Sequence, residues 1–247
     1  MMRLPARLAA KLAKVRTAQI FNRARAGSLV LCVDPAEILH PGSDEPVSHG
    51  KMQGLLKNPA PVIWVGSSEP LRHAGIGHFV RAIAHSGHFV FLETNGALLR
   101  RRIHEFEPLP QVFLTVRLDS LEVPRFPLAS EGLRFARLSG FFTVIHSLVN
   151  QDSEPRQITA LGRFIAENEV DGWLISAASK KEAVRRKAEE ARSSISSSFW
   201  RQFSEHVEEA LLSQTRGQEP PGVLASAPPS LEAEAHEETH QQGVGIA

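Results

Sequence analysis

The stretch "VIWVGSSEPLRH", residues 62–73, runs from a β-prone apolar segment straight into Gly66, Ser67, Ser68, Glu69 and Pro70. Val62, Ile63, Trp64 and Val65 read as a strand covered on both faces. The residues that follow pack little and hydrogen-bond much. In parallel α/β proteins ligands sit at the carboxyl ends of strands, so this loop is either a site or an ordinary strand-to-helix turn.

Five more runs share the strand's character. "SLVLCV" (28–33) precedes it, and "HFVFLE" (88–93), "VFLTVRL" (112–118), "FFTVIHSLV" (141–149) and "GWLIS" (172–176) follow. Amphipathic segments at helical spacing separate them: "KMQGLLKN" (51–58), "GIGHFVRAIAHSG" (75–87) with Gly87 as C-cap, "ALLRRRIHEF" (97–106), "EGLRFARLSG" (131–140) and "EPRQITALGRFIAENEV" (154–170). Six strand–helix alternations predict an α/β chain with one parallel sheet. A long amphipathic segment comes next, its stripe running through Val184, Ala188, Ala191, Ile195, Phe199, Phe203, Val207 and Leu211. The run "SSISSS" (193–198) predicts a break into two helices, with Ser197 or Ser198 capping the second.

Among the 247 residues, 28 Lys and Arg against 27 Asp and Glu leave a net charge of +1, so no global field draws the chain onto nucleic acid. Cys32 is the single cysteine, which rules out an intrachain disulfide and a cysteine-rich metal site built from this chain alone. No apolar run approaches the roughly 20 residues of a membrane-spanning helix. Lys11 and Lys14 interrupt what would be the apolar centre of a signal peptide, and a cytoplasmic protein is the expectation. Residues 3–25 hold seven Arg and Lys and no acid, with Leu4, Leu8, Leu12 and Val15 at helical spacing. This basic amphipathic helix either lies across the bottom of the domain or makes peripheral contact with anionic lipid headgroups at the inner membrane surface. Beyond Gly217 the composition turns to Pro, Ala, Glu, Gln and Gly, the signature of disorder.

The order of motifs resembles the radical S-adenosylmethionine (SAM) superfamily. "SSEP" (67–70) falls where that superfamily has Gly-Gly-Glu-Pro after its second strand, a loop that hydrogen-bonds the SAM amino group. "ETNG" (93–96) is similar to its Thr-Asn-Gly, and "RLDS" (117–120) to its Ser-Leu-Asp-Gly. One branch is closer, the hopanoid-biosynthesis enzymes resembling adenosyl-hopene transferase. "SLVLCVDP", "VNQDSEP" (149–155) and "VDGWLIS" (170–176) carry that likeness, which spans about residues 7–200. The resemblance implies a six-stranded parallel (β/α)6 partial TIM-type barrel over 27–178. The amphipathic helix (1–26) would precede it, C-terminal helices (179–216) would pack on it, and a disordered tail (217–247) would follow. It implies SAM or a related nucleoside as ligand, with Ser67, Ser68, Glu69, Pro70, Thr94, Asn95, Arg117 and Asp119 as the binding positions.

The superfamily's chemistry needs a [4Fe–4S] cluster held by three cysteines, spaced CxxxCxxC, after the first strand, with SAM chelating the open iron. The corresponding loop, "AEILHPGSDEPVSHG" (36–50), has none; the pattern falls on Leu39, Ser43 and Pro46. Cys32 lies within the strand run, where a lone thiol is ordinarily core. His40 and His49 are in the loop, but imidazole and carboxylate lack the soft-ligand character such a cluster requires. No cluster is therefore expected.

Each remaining candidate has a structural reading beside the functional one. Glu69 either accepts from a ligand ammonium or braces its own loop, and serines in place of glycines narrow the approach to the backbone. Arg117, if turned inward, would pair with Glu69 where substrate would otherwise sit; if turned outward, it is solvated surface. Thr94 and Asn95, followed by Gly96, also suit a turn. His73, His78, His85 and His88, with separations of 5, 7 and 3, do not share a helical face, so no metal site is expected there. No GxSxG and no P-loop lysine occurs, though a triad dispersed through the sequence stays open. The expectation is a radical-SAM-like domain without its cluster, a non-catalytic paralogue or accessory protein of hopanoid or terpenoid lipid chemistry. It would bind a partner enzyme, a lipid or a nucleoside, and not nucleic acid. The alternatives are a radical SAM enzyme whose cluster ligands come from elsewhere and a non-radical SAM-binding transferase.

Overall fold

The computed structural model describes residues 2–21, 27–40 and 47–214. The expected tail (217–247) and loop positions Ser43 and Pro46 lie outside the described residues. After helix α1 (Ala6–Phe21), strands β1 (Val30–Val33), β2 (Val62–Val65), β3 (Phe89–Thr94), β4 (Val112–Arg117), β5 (Phe142–Val149) and β6 (Gly172–Ala177) alternate with helices α2 (His49–Leu56), α3 (Ile76–His85), α4 (Leu99–Arg102), α5 (Phe126–Leu138) and α6 (Pro155–Glu167). Helices α7 (Glu182–Arg192) and α8 (Ser198–Gln214) close the order. The strands pair in parallel in the sequence β1-β2-β3-β4-β5-β6, a curled half-barrel of the partial TIM type. The predicted break at the serine run separates α7 from α8. Gly87 takes φ +93°, the left-handed geometry expected just past the end of α3.

Two expected helices differ. The segment "EGLRFARLSG" begins earlier, at Phe126, because Pro127 sits in the first turn, where a missing N–H costs nothing. The segment "ALLRRRIHEF" is helical only over Leu99–Arg102 and then tightens into a 3-10 turn, Ile103–Glu105. There Arg102 clamps Glu105 and the carbonyls of Leu71 and His73.

The barrel interior has two layers, set by the period-two alternation of each strand. Trp64, Phe91, Phe113 and Phe142 share one register row across β2–β5. Their rings pack at centroid distances of 5.6, 4.5 and 5.2 Å in turn. α8 fills the open side against this aromatic row, with Phe203 5.1 Å from Phe91 and Trp200 6.5 Å from Phe113. Gly172 makes room for it: a Cβ there would lie 2.5 Å from the Trp200 ring. The next row towards the strand carboxyl ends carries Glu93 on β3 and Thr115 on β4 beside the apolar Val144 on β5.

α8 also satisfies the free edge of β6, where no seventh strand pairs. The Ile175 N–H donates to Ser204 Oγ and the Ala177 N–H to Glu208 Oε2, at 3.1 and 2.6 Å. From α7, Arg192 donates to the Ile175 carbonyl and pairs with Glu208. Gln214 reaches the opposite edge, donating to the Cys32 carbonyl. An unpaired strand edge buried without such partners would leave orphaned backbone groups.

At the barrel's bottom α1 lies across the amino ends of the strands. Leu8 and Leu12 are buried, the Arg3 N–H donates to the Asp171 carbonyl, and Lys11 donates to the Gly87 carbonyl over the Phe89 ring. The apolar stripe is thus turned into the domain. Leu4, expected within that stripe, is exposed instead. No helix among the described residues is long and apolar enough to cross a membrane.

Candidate functional site

The loop after β2 is built around the Glu69 carboxylate, which is buried. Glu69 caps a 3-10 turn, Pro70–Arg72, by accepting the Leu71 N–H at 3.1 Å. It also accepts the Thr94 hydroxyl at 2.7 Å and the Asn95 N–H at 2.8 Å, which ties the end of β2 to the end of β3. Three of the carboxylate's roughly four lone-pair directions are therefore occupied by protein donors. Ser68 donates to Asp34, binding the same loop to the end of β1. Ser67 sits at φ +77°, a conformation that glycine adopts freely and L residues do not. Ser67→Gly is expected to stabilise the fold by about 0.5–1 kcal/mol, the relief of strain less glycine's extra chain entropy, read from the urea midpoint at constant slope.

Arg117 does not meet Glu69. β4 lies between β3 and β5, two strands away from the loop after β2. Its ion pair is with Asp119, at 4.0 Å, and its charge acts on Glu93. Asp119 in turn accepts the Leu148 N–H at 2.7 Å, joining the ends of β4 and β5. The sequence-derived positions thus fall into three groups: Glu69 with Thr94 and Asn95, Ser68 with Asp34, and Arg117 with Asp119.

A polar cluster beneath them, Glu93 with His146 and Ser176, is not among the sequence-derived site positions. Glu93 Oε1 lies 2.6 Å from His146 Nδ1, and Glu93 Oε2 accepts the Trp64 indole N–H at 3.1 Å. The other imidazole nitrogen, Nε2, lies 3.0 Å from Ser176 Oγ. Burial pushes the Glu93 carboxyl upward, but His146 by charge and hydrogen bond, Arg117 by charge and the Trp64 indole outweigh it, and it ends below the usual carboxylate range. The connectivity is that of a Ser–His–acid triad. Both Ser176 and His146 are fully buried, so the hydroxyl is closed to solvent. Thr115, on the inward face two residues before Arg117, buries an Oγ1 with no hydrogen-bond partner among the described residues.

Cys32 lies in the same row as Trp64, within β1. Burial, and then the Glu93 charge, push its thiol up to about 12. It is protonated at neutral pH, so native protein at pH 8 is expected to resist iodoacetamide for hours while urea-unfolded protein is alkylated within minutes, as mass spectrometry would read. The donor set therefore does not fit a [4Fe–4S] cluster: the one thiol is inert and inside a strand, and Leu39 is an apolar core residue. No group of three or more His, Cys, Asp and Glu suited to a metal ion occurs among the described residues. His88 is used structurally, its ring nitrogens lying 2.8 Å from the Ala60 carbonyl and 3.2 Å from that of Leu56.

The motifs behind the resemblance also have structural uses. In "VDGWLIS", Asp171 accepts the N–H and hydroxyl of Thr143, Gly172 admits Trp200, and the Trp173 indole donates to Ser147. In "VNQDSEP", Asn150 and Ser153 order the turn, and Glu154 forms a reciprocal capping box with Gln157 at the start of α6.

No protein-family model matches the chain, and no curated protein does. Its fold is shared with solved structures of SuiB from Streptococcus suis. SuiB bound to S-adenosylmethionine superposes with a TM-score of 0.54 at 16% identity, over 74% of this chain and 48% of that one. SuiB bound to the precursor peptide SuiA gives 0.53 at 15%, over 68% and 46%. The chain spans about half the length of the structures it matches.

Proposed function

We propose that this chain is a radical-SAM-type barrel that works without an iron–sulfur cluster, as a non-catalytic accessory binding protein related to hopanoid or terpenoid lipid biosynthesis. One observation carries the reading: the only thiol in the chain is buried in β1 with its pKa raised to about 12, and the loop that would hold a cluster has no cysteine. Supporting it, Glu69 and Glu93 spend their lone pairs on the protein's own donors, so the strand ends are braced rather than vacant. The lipid context comes from the resemblance of the sequence motifs.

A second reading, SAM bound without radical chemistry, draws on Ser67. Its positive φ keeps the loop in the backbone geometry of a glycine, and the shared fold includes a structure of SuiB bound to SAM. In this reading the loop of Ser67, Ser68, Glu69 and Pro70 with Thr94 and Asn95 faces the ligand, and Arg117 with Asp119 flanks it. Titration calorimetry with SAM, followed by assay for deoxyadenosine under a strong reductant, separates the cases. No heat at millimolar SAM leaves the partner-binding role, and saturable heat without deoxyadenosine assigns the second reading. Deoxyadenosine release would overturn both.

A further inference from the structure

Between α1 and α8 lies a slot of about 180 Å³ that neither helix closes. Its walls are two facing stripes at i, i+3, i+4, i+7 spacing: Ala9, Leu12, Ala13 and Arg16 from α1, and Phe199, Gln202, Phe203 and His206 from α8. Leu29 is the floor. The alanines are the reason for the gap, because side chains of one carbon cannot fill the space opposite Phe199 and Phe203. The depth is apolar, with Leu12, Leu29 and Phe203 all buried.

Basic and polar groups stand along the same two stripes. Arg16 is exposed and has no ion-pair partner among the described residues, and His206 is half-buried beside it. Burial and then the Arg16 charge hold the His206 imidazole below its ordinary value, with Glu209 and Glu205 pulling the other way. An anion beside Arg16 would offset that charge and favour the protonated imidazole. The rest of α1's exposed face is also basic, through Arg7 and Lys14.

From these features we propose that the slot binds a single-chain anionic amphiphile of the fatty-acid type, its carboxylate at Arg16 and His206 and its hydrocarbon against Leu12, Leu29 and Phe203. A flat bilayer does not suit the site, since the apolar residues are recessed between helices and the stripe of α1 is turned inward. A chain must leave a membrane to reach them. The proposal rests on the reading of this protein as a binding protein, and its test involves neither iron nor SAM, so its failure is distinguishable from failure of that reading.

The test is titration of the full chain with dodecanoate below its micellar concentration, with circular dichroism to verify that variants fold. Saturable binding of one ligand per chain is expected. Arg16→Ala should weaken it by up to about fivefold, and uncharged dodecanol should bind more weakly by a similar factor. Ala13→Phe, at an exposed position, should fill the slot and abolish binding. Absence of saturable binding, equal affinity for dodecanol, or unchanged binding in Ala13→Phe would overturn the proposal. Sedimentation with anionic phospholipid vesicles without uptake of monomeric dodecanoate would also overturn it and assign α1 to a membrane surface.

Discussion

Glu93→Ala is expected to lower the unfolding free energy by about 3–5 kcal/mol, because it removes one partner of a buried pair and leaves the others unsatisfied. His146 Nδ1–H and the Trp64 indole N–H both lose their acceptor in an interior closed to water. Glu93→Gln, which keeps an acceptor, should cost only about 1–2 kcal/mol. The two variants also isolate a pH effect. The folded-state pKa of Glu93 is depressed below its ordinary 4.5, so its contribution is fully present above that value and is lost as pH falls through the folded value. Wild-type stability should therefore decline on acidification below about 4.5 more steeply than that of Glu93→Gln. Urea unfolding at a series of pH values measures both, and parallel curves would show that the pair contributes nothing.

Glu208→Ala should be comparably damaging, at about 3–5 kcal/mol, for a different reason. Glu208 accepts the Ala177 N–H on the edge of β6 and pairs with Arg192, whose side chain is itself buried. Without it a cation is left uncompensated inside the protein and the last strand loses an edge bond. The loss should be local at first, so hydrogen exchange should show α7, α8 and β6 deprotected before β2–β4. Uniform deprotection would contradict the role of α8 as the element that closes the barrel.

How far the sequence carried this account depends on the range of the interactions. All six strands were legible because each is covered on both faces and reads as a nearly continuous apolar run, and Glu69 was legible because it follows such a run directly. Its tie to Thr94 and Asn95 follows from β2 lying beside β3. The Glu93–His146–Ser176 chain was not seen, since it joins residues 53 and 30 positions apart on β3, β5 and β6. Its signal was present, however: an acid, an imidazole and a hydroxyl at inward positions of otherwise apolar strands. For Arg117 the sequence leaves an inward pairing with Glu69 and an outward, solvated position both open, because it does not carry the strand-end geometry that sets Asp119 4.0 Å away. The closing of the barrel by α8 was likewise hidden, because an amphipathic stripe says that a helix packs and not where.

The most direct measurement is the iron and sulfide content of protein reconstituted anaerobically, together with its paramagnetic spectrum after reduction. Iron well below one atom per chain and a silent spectrum are the expected result. Four irons per chain with the resonance of a reduced [4Fe–4S] cluster would contradict it.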